Sequence, residues 1–262
     1  MEIWRKVSES EYRSDDGRFV ISQKKSRELG WYWELLDTAA ENRCLHPCPS
    51  LVFCFAVAEN TRTGTMRIEE NRTDSDKAAV TEQDFSGRDL CGEDFGGKTL
   101  VRCDFRDSDL CGVSFRGAAL TGCDFRGADL SGADFTGSCL QAVTFSASDM
   151  RGARMLNANI HSSDFSKAAL RKADFTYADI FDSNMSESNM SSIHMRSTFV
   201  QGCDFTEAEM YSAVIEDSVL CDTDMAKAEL EGMQMTGTKM YNTDLLRAFG
   251  WRPQPYVLRY QQ

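Results

Sequence analysis

Long apolar runs, prolines and histidines are all scarce in this 262-residue chain. The longest apolar stretch, residues 51–58, is much shorter than the roughly 18 residues of a membrane-spanning helix. It also lies too far from the start to be a signal peptide. We therefore expect a cytoplasmic protein without membrane contact, whose ten cysteines stay reduced, the alternative being a secreted effector. Only four prolines and a hydrophobic content of 42% argue against disorder.

The scarcity of histidine limits the chemistry that the chain can perform. None of the three, His46, His161 and His194, stands in a pattern typical of a Ser-His-Asp or Cys-His nucleophile. We therefore predict a non-enzymatic protein without cofactor or metal. Cys44, His46 and Cys48 offer zinc ligands in an unusual order, with the histidine between the cysteines. The interpretation we prefer there is a loop at the start of a helix.

Basic residues are under-represented in the central part of the chain. Residues 81–245 contain 14 Lys and Arg against 27 Asp and Glu, and the whole chain has a formal net charge of −12. Nucleic acid repels such a surface, so we expect no direct nucleic-acid binding. The charge serves either ordinary solubility or the attraction of a partner with a basic surface.

The same segment follows an unbroken period of five residues. Each of the 33 positions from Phe85 to Leu245 at this spacing is Phe, Leu, Met, Ile or Val, and we call them centres. From Cys103 to Thr243, the residue two before each centre is small in 27 of 29 cases, the exceptions being Ile193 and Met233. The residue directly before a centre is often Asp.

This period fits neither a helix nor a simple strand. It fits a chain that turns a corner every five residues and directs one large and one small side chain inward from each side. Four sides close a square coil of 20 residues, and about eight such coils stack at the β-ladder spacing of about 4.8 Å. Phe85, Phe105 and Phe125 then fall on one side, and Phe95, Phe115 and Phe135 on the opposite side.

These residues, for example Cys103-Asp104-Phe105-Arg106-Asp107 and Ala128-Asp129-Leu130-Ser131-Gly132, resemble the pentapeptide-repeat family. The resemblance covers about 160 residues. It implies a mainly β fold, a right-handed quadrilateral β-helix, with no catalysis in the repeats and often dimers through the C-terminal end.

The ends of the rod differ from its middle. The first four positions that should be small and inward are Gln83, Arg88, Glu93 and Lys98, so we expect the first coil to be an exposed cap. Residues 1–70 indicate a small α+β module, with strands at 3–7, 18–23 and 31–36, a turn at Asp16-Gly17 and a helix over 50–59. Residues 71–80 are taken as a linker to the repeats at 81–245.

The tail, residues 246–262, is predicted to be a C-terminal cap. A short helix or turn would place Phe249 and Trp251 over the last coil, with Tyr256 and Leu258 following. The same apolar surface serves either capping alone or a homodimer.

Two outward surfaces are candidates for partner binding. The acidic one includes Asp204, Glu209, Asp224, Glu229 and Glu231. Asp before a centre also fits a structural role, because its side chain can accept a hydrogen bond from the corner backbone. The other surface, on the fourth side, carries outward Val101, Cys139, Phe181, Phe199, Val219, Cys221 and Tyr241, and we expect these aromatic rings to be exposed.

Two functions follow. The first is a non-enzymatic scaffold for another protein, for example in a bacterial effector or phage factor. The alternative, implied by the resemblance to the quinolone-resistance and immunity proteins, is an acidic DNA mimic that binds DNA gyrase or another topoisomerase. The N-terminal module is a departure from those proteins.

Overall fold

A computed structural model describes residues 79–245 and 247–250 and the backbone of six further strands, at 4–8, 11–14, 19–26, 30–37, 43–48 and 258–260. The chain divides into two compact units, Met1–Glu69 and Glu70–Gln262.

The described part of the first unit is one antiparallel sheet in sequential strand order. Its strands are β1 (Trp4–Ser8), β2 (Glu11–Ser14), β3 (Phe19–Ser26), β4 (Gly30–Asp37) and β5 (Arg43–Cys48). Three of them overlap the predicted strands, and β2 and β5 are additional. The predicted turn at 16–17 and the helix over 50–59 lie outside the described residues.

Strand β5 corrects the interpretation of Cys44, His46 and Cys48 as a loop at the start of a helix. The segment pairs antiparallel with β4, and a register shift between Leu35 and Leu36 accommodates it. Among the described strands β5 lies at the sheet edge, where a proline such as Pro47 is tolerated.

The second unit is a right-handed quadrilateral β-helix of about eight coils. Its strands are β6 (Val80–Thr81), β7 (Thr99–Val101), β8 (Ala119–Thr121), β9 (Cys139–Gln141), β10 (Asn159–His161), β11 (Asp179–Phe181), β12 (His194–Arg196), β13 (Phe199–Gln201), β14 (Val214–Glu216), β15 (Val219–Cys221), β16 (Gln234–Thr236), β17 (Lys239–Tyr241) and β18 (Leu258–Tyr260).

We number the sides of the coil by the centres of the first coil: Phe85, Leu90, Phe95 and Leu100 mark the first to fourth sides. The fourth side is a parallel sheet of ten strands: β6, β7, β8, β9, β10, β11, β13, β15, β17 and β18. The other three strands, β12, β14 and β16, form a short sheet on the third side. Elsewhere, single parallel bridges join residues 20 apart, such as Asp104 and Asp124. The predicted 20-residue coil is confirmed.

The corners are made by a residue in the left-handed region two positions after each centre. Every such residue from Glu82 to Asn242 has a positive φ, 13 of them glycines, such as Gly127 with φ of 70°. A side chain usually disfavours this conformation, so the inter-coil hydrogen bonds must hold it. One of these bonds is donated by Phe105 N–H to the Asp124 carbonyl oxygen at 2.7 Å.

The core contains the centres and the small inward residues. Phenylalanines stack along each side, as do Phe105 and Phe125 with ring centroids 4.6 Å apart. They also meet edge to face across the core, as do Phe105 and Phe115 at 5.9 Å. Offset stacked and edge-to-face pairs are both favourable arrangements of aromatic rings, so the two phenylalanine columns stabilise each other.

The first coil is the cap that the sequence predicts. Arg88 and Glu93 are exposed and Lys98 is half-buried, whereas Ala128, the equivalent of Arg88 two coils on, is buried. The Arg88 guanidinium lies 5.5 Å from the centre of the Phe85 ring, and the Lys98 ammonium lies 4.9 Å from that of Phe95. The cations thus cover ring faces at this end of the core while staying partly in water.

At the other end, the expectation that Phe249 lies over the last coil is wrong. The backbone keeps the coil geometry, because Phe249 N–H donates to the Ala228 carbonyl oxygen at 2.8 Å. This register places Phe249 directly before a centre position, where side chains face outward, and the ring is 55% exposed. The centre position is Gly250. Trp251 and Tyr256 lie outside the described residues, and Leu258 begins β18, which pairs in parallel with β17.

Candidate functional site

The aspartates directly before the centres hold the corners together. The Oδ1 atoms of Asp124, Asp204 and Asp224 each accept a hydrogen bond from the backbone N–H two residues later, at 3.1, 2.8 and 2.8 Å. The same bond recurs on three sides of the rod, for example at Asp134. The structural interpretation of these aspartates is therefore confirmed, and an Asp at such a position is not by itself evidence of a binding surface.

In the earlier coils four of these carboxylates, those of Asp104, Asp124, Asp134 and Asp149, also pair with arginine. Arg106 donates through Nε and Nη2 to Asp104, and this bond holds the pKa of Asp104 below its ordinary value. Arg126 pairs in the same way with Asp124 and Arg151 with Asp149. Arg116 reaches Asp134 in the next coil at 2.8 Å.

The last coils carry a different charge pattern. Residues 197–245 contain ten acidic and two basic residues, whereas residues 81–196 contain 17 acidic and 12 basic. Asp204, Glu209, Asp224 and Glu231 are exposed and Glu229 is half-buried. Within the described residues, none of these five carboxylates forms an ion pair. The five residues, which we call the acidic surface, lie on the first two sides of the rod.

Tyr211 lies within the acidic surface and is 38% exposed. Desolvation is the largest cause of a raised pKa of its hydroxyl, and the nearby carboxylates of Glu229, Glu209 and Glu231 raise this pKa further. Glu209 in turn accepts a hydrogen bond from the Asn189 amide at 2.7 Å. Sequence reasoning missed Tyr211, although its position two residues after Glu209 and 20 before Glu231 was a usable signal.

The fourth side does not expose the predicted aromatic surface. Phe181 is 8% exposed and Phe199 is 1% exposed, and Val219 and Cys221 are also buried. Val101 and Tyr241 are half-buried, and Cys139 is exposed. The expectation assumed that side chains outside the coil face water. Instead, Phe181 stacks on His161, with centroids 4.5 Å apart, and lies 5.6 Å from Phe199.

Two polar side chains on this side have oxygen atoms that accept no hydrogen bond from the described residues. Gln201 is 6% exposed, and its Oε1 atom accepts no hydrogen bond. Asp179 is half-buried, and no described residue donates to its carboxylate. Desolvation by burial therefore raises the pKa of Asp179 to about 7. The sequence signal was weak: Asp179 is the one aspartate that precedes a centre on the fourth side between Leu100 and Met240.

The histidines of the rod do not come together. His161 belongs to β10 on the fourth side, where burial lowers its pKa, whereas His194 belongs to β12 on the third side and is exposed. In the part of the chain that the structure describes, no helix is long and apolar enough to cross a membrane.

Comparison with known proteins agrees with this geometry. The family model described as pentapeptide repeats matches residues 100–137 and 138–176. Two trypsin-treated variants of QnrB1, a plasmid-mediated fluoroquinolone resistance protein, are similar in structure. They have 20% and 21% sequence identity and a TM-score of 0.62 each, covering 70% and 69% of this chain and 92% and 91% of theirs.

HetL, a pentapeptide-repeat protein involved in heterocyst differentiation regulation from the cyanobacterium Nostoc sp. strain PCC 7120, is a more distant neighbour. It has 16% identity and a TM-score of 0.49, with coverage of 74% of this chain and 91% of HetL. No curated protein matches the chain in sequence. At such identities the likeness to QnrB1 concerns the fold. Together with the repeat match and the coil geometry, it shows that residues 100–176 carry pentapeptide repeats within a fold distantly similar to that of the Qnr proteins.

Proposed function

We propose that the rod is a non-enzymatic scaffold that binds another protein through the acidic surface of its last coils. The observation that carries this proposal is the contrast between Asp104 or Asp124, each paired with an arginine, and the five carboxylates of the acidic surface, which have no such partner among the described residues. Uncompensated charge on a rigid surface attracts and orients a partner of opposite charge. The expected partner therefore presents a basic surface.

A more specific candidate is a DNA-binding enzyme such as DNA gyrase or another topoisomerase. Its DNA-binding groove is basic, and carboxylates stacked at a spacing of about 4.8 Å offer it a regular row of negative charge. The similarity in fold to a fluoroquinolone resistance protein favours this candidate over other basic partners. A homodimer through the C-terminal end, near the exposed Phe249, would join two acidic surfaces into one longer row.

The test compares two sets of four substitutions. The first set, Asp204→Asn, Glu209→Gln, Asp224→Asn and Glu229→Gln, removes charge from the acidic surface, and each Asn still accepts the corner hydrogen bond. The matched set, Asp104→Asn, Asp124→Asn, Asp134→Asn and Asp149→Asn, removes the same number of charges at positions that pair with arginine. Affinity for purified gyrase is measured at two salt concentrations.

We expect the first set to weaken gyrase binding and flatten its salt dependence, and the matched set to leave both nearly unchanged. Duplex DNA should compete with the wild-type protein for gyrase. Equal losses of affinity in both sets would show that binding depends on net charge alone, and would contradict the acidic surface as the binding site. If the wild-type protein does not bind gyrase but binds another basic protein from a cell extract, the topoisomerase candidate is excluded and the proposal of a basic protein partner stands.

The apolar alternative, binding through Phe181 and Phe199, has less support because both rings are buried. Replacing a buried Phe by Ala typically costs about 3–5 kcal/mol of stability. We therefore expect Phe181→Ala and Phe199→Ala to lower the unfolding midpoint. Loss of binding in a variant that keeps its unfolding midpoint would favour the apolar surface instead.

A further inference from the structure

The second side of the rod carries its positive and its negative charges in different coils. In the fifth coil its outward residues include Arg171 and Lys172 and no carboxylate, whereas the seventh and eighth coils carry Glu209, Glu229 and Glu231. All of these side chains except the half-buried Glu229 are exposed. Because coils stack at about 4.8 Å, the fifth and eighth coils are about 14 Å apart along the rod.

Arg171 and Lys172 differ from most cations of the rod because they have no partner. Of the 14 Lys and Arg in residues 81–245, nine form ion pairs with carboxylates. Arg88 and Lys98 lie over phenylalanine rings. Within the described residues, neither Arg171 nor Lys172 has an ion pair or a ring contact, and Glu231 lies three coils away, too far for an ion pair within one molecule.

Four residues on this side form a column along the rod. Arg171, Ser191, Tyr211 and Glu231 each stand directly after a second-side centre in four successive coils, and we call them the second-side column. The coils stack in register here, since Lys172 N–H donates to the Ser191 carbonyl oxygen at 3.1 Å. The column reads cation, small, large, anion. It is therefore complementary to an inverted copy of itself in charge and, independently, in size.

We propose that the second side is a self-association surface on which a second copy of this chain packs antiparallel. The two-fold axis crosses the column between Ser191 and Tyr211, at right angles to the rod. Each Arg171 then faces the partner's Glu231, and each Tyr211 faces the partner's Ser191. A two-fold interface uses the same patch on both molecules, so every favourable contact occurs twice. Complementary charge fixes the register of the two rods.

The size of this surface sets the strength of the dimer. Four coils are only about 19 Å long, and one side of the rod over that length offers less area than the roughly 1,200–2,000 Å² buried in stable protein interfaces. We therefore expect a weak dimer that forms with rising protein concentration and dissociates at high salt. It is distinct from a homodimer through the C-terminal end, because it covers a side of the rod.

Self-association has a consequence for the acidic surface. The antiparallel dimer covers Glu209, Glu229 and Glu231 and so withholds these carboxylates from a basic partner. Partner binding and self-association therefore compete. This consequence rests on the protein-binding function proposed above, whereas the dimer itself does not.

The test combines charge reversal with mixing, and sedimentation equilibrium of the full chain measures the dimerisation constant at two salt concentrations. Arg171→Glu and Glu231→Arg should each weaken self-association about tenfold or more, because each substitution brings like charges together twice. In an equimolar mixture the two reversed positions face each other with opposite charge, so a heterodimer should form with wild-type strength. Arg154→Glu reverses an exposed cation on the third side and, as the matched control, should keep the dimer.

A second variant tests the size complementarity without changing charge. Ser191→Trp fills the space opposite the partner's Tyr211 and should weaken self-association, while its urea midpoint stays close to that of the wild type. A wild-type chain that stays monomeric at low salt would overturn the proposal. So would a dimer that persists in Arg171→Glu, or two reversed variants that fold but do not recombine, since another surface or register would then hold the copies together.

The failure of this proposal can be told apart from that of the proposed function. Arg171→Glu keeps every carboxylate of the acidic surface, so it should bind gyrase at least as tightly as the wild type does. If the reversed variants recombine but no form of the chain binds gyrase or another basic protein, the self-association surface stands and the protein-binding function fails.

Discussion

Arg126 and Asp124 form two kinds of bond with each other at one corner of the rod. The Arg126 backbone N–H donates to Asp124 Oδ1 at 3.1 Å, and its guanidinium donates to both carboxylate oxygens. The first bond supports the corner and the second neutralises the charge. At Asp224 the corner bond is kept, but the residue two positions later is Ala226, so no arginine at that position neutralises the charge.

Removing the corner bond at Asp124 should destabilise the rod more than removing its charge. Asp124→Ala loses the acceptor of the Arg126 N–H, and net contributions of such hydrogen bonds are about 0.5–1.5 kcal/mol. Asp124→Asn keeps an acceptor and loses an exposed ion pair of little value. We expect a lower urea midpoint for the Ala variant and a nearly unchanged one for the Asn variant. Equal midpoints for the two variants would contradict the structural role of the Oδ1 atom.

Enlarging a small inward residue should be costly. Ala128 is 1% exposed and faces a filled core, where extra methylene groups typically cost about 1–3 kcal/mol. Ala128→Leu should lower the urea midpoint accordingly. Ala169→Leu is the control, because Ala169 stands directly before a centre and is only half-buried. A midpoint for Ala128→Leu as high as that of the control would be inconsistent with its inward position.

The stability of the rod should fall with rising pH because of Asp179. Burial raises the pKa of its carboxyl from the ordinary 3.8 to about 7. Between these two pKa values the folded state therefore holds a proton that the unfolded state releases. The resulting contribution of Asp179 to the free energy of unfolding is complete below about pH 4 and lost by about pH 7. The change is at most about 1.4 kcal/mol per pH unit.

Asp179→Asn cannot ionise and should lose this pH dependence. The test is the difference in unfolding free energy between wild type and variant at pH 5 and pH 7.5. We expect the unfolding free energy of the variant, relative to that of the wild type, to be higher at pH 7.5 than at pH 5. A difference that is the same at both pH values would show that the carboxyl titrates in its ordinary range.

The period of five residues was enough to predict the coil, the inward side chains and the cap. This worked because the rule is local: each centre must fill the same square core, and each corner must place the next centre inward. The pairing of arginines with aspartates can also be predicted in part from the sequence, because Asp104 and Arg106 are two residues apart and lie on the same side of the coil.

The tertiary structure decided what the outer side chains meet. The period places Phe181 and Phe199 outside the coil, but it carries no information about neighbours above, below or beyond it, and both rings are buried. The period also does not show whether the chain leaves the coil after Leu245. The backbone at Phe249 keeps the coil register, and this register directs the ring outward into solvent. Asp89, Cys91 and Asp109 come together because coils stack at 20-residue intervals, which brings a thiol of one coil to a carboxylate of the next. Inward positions are fixed by sequence spacing, whereas outward contacts depend on distances between atoms that the chain separates.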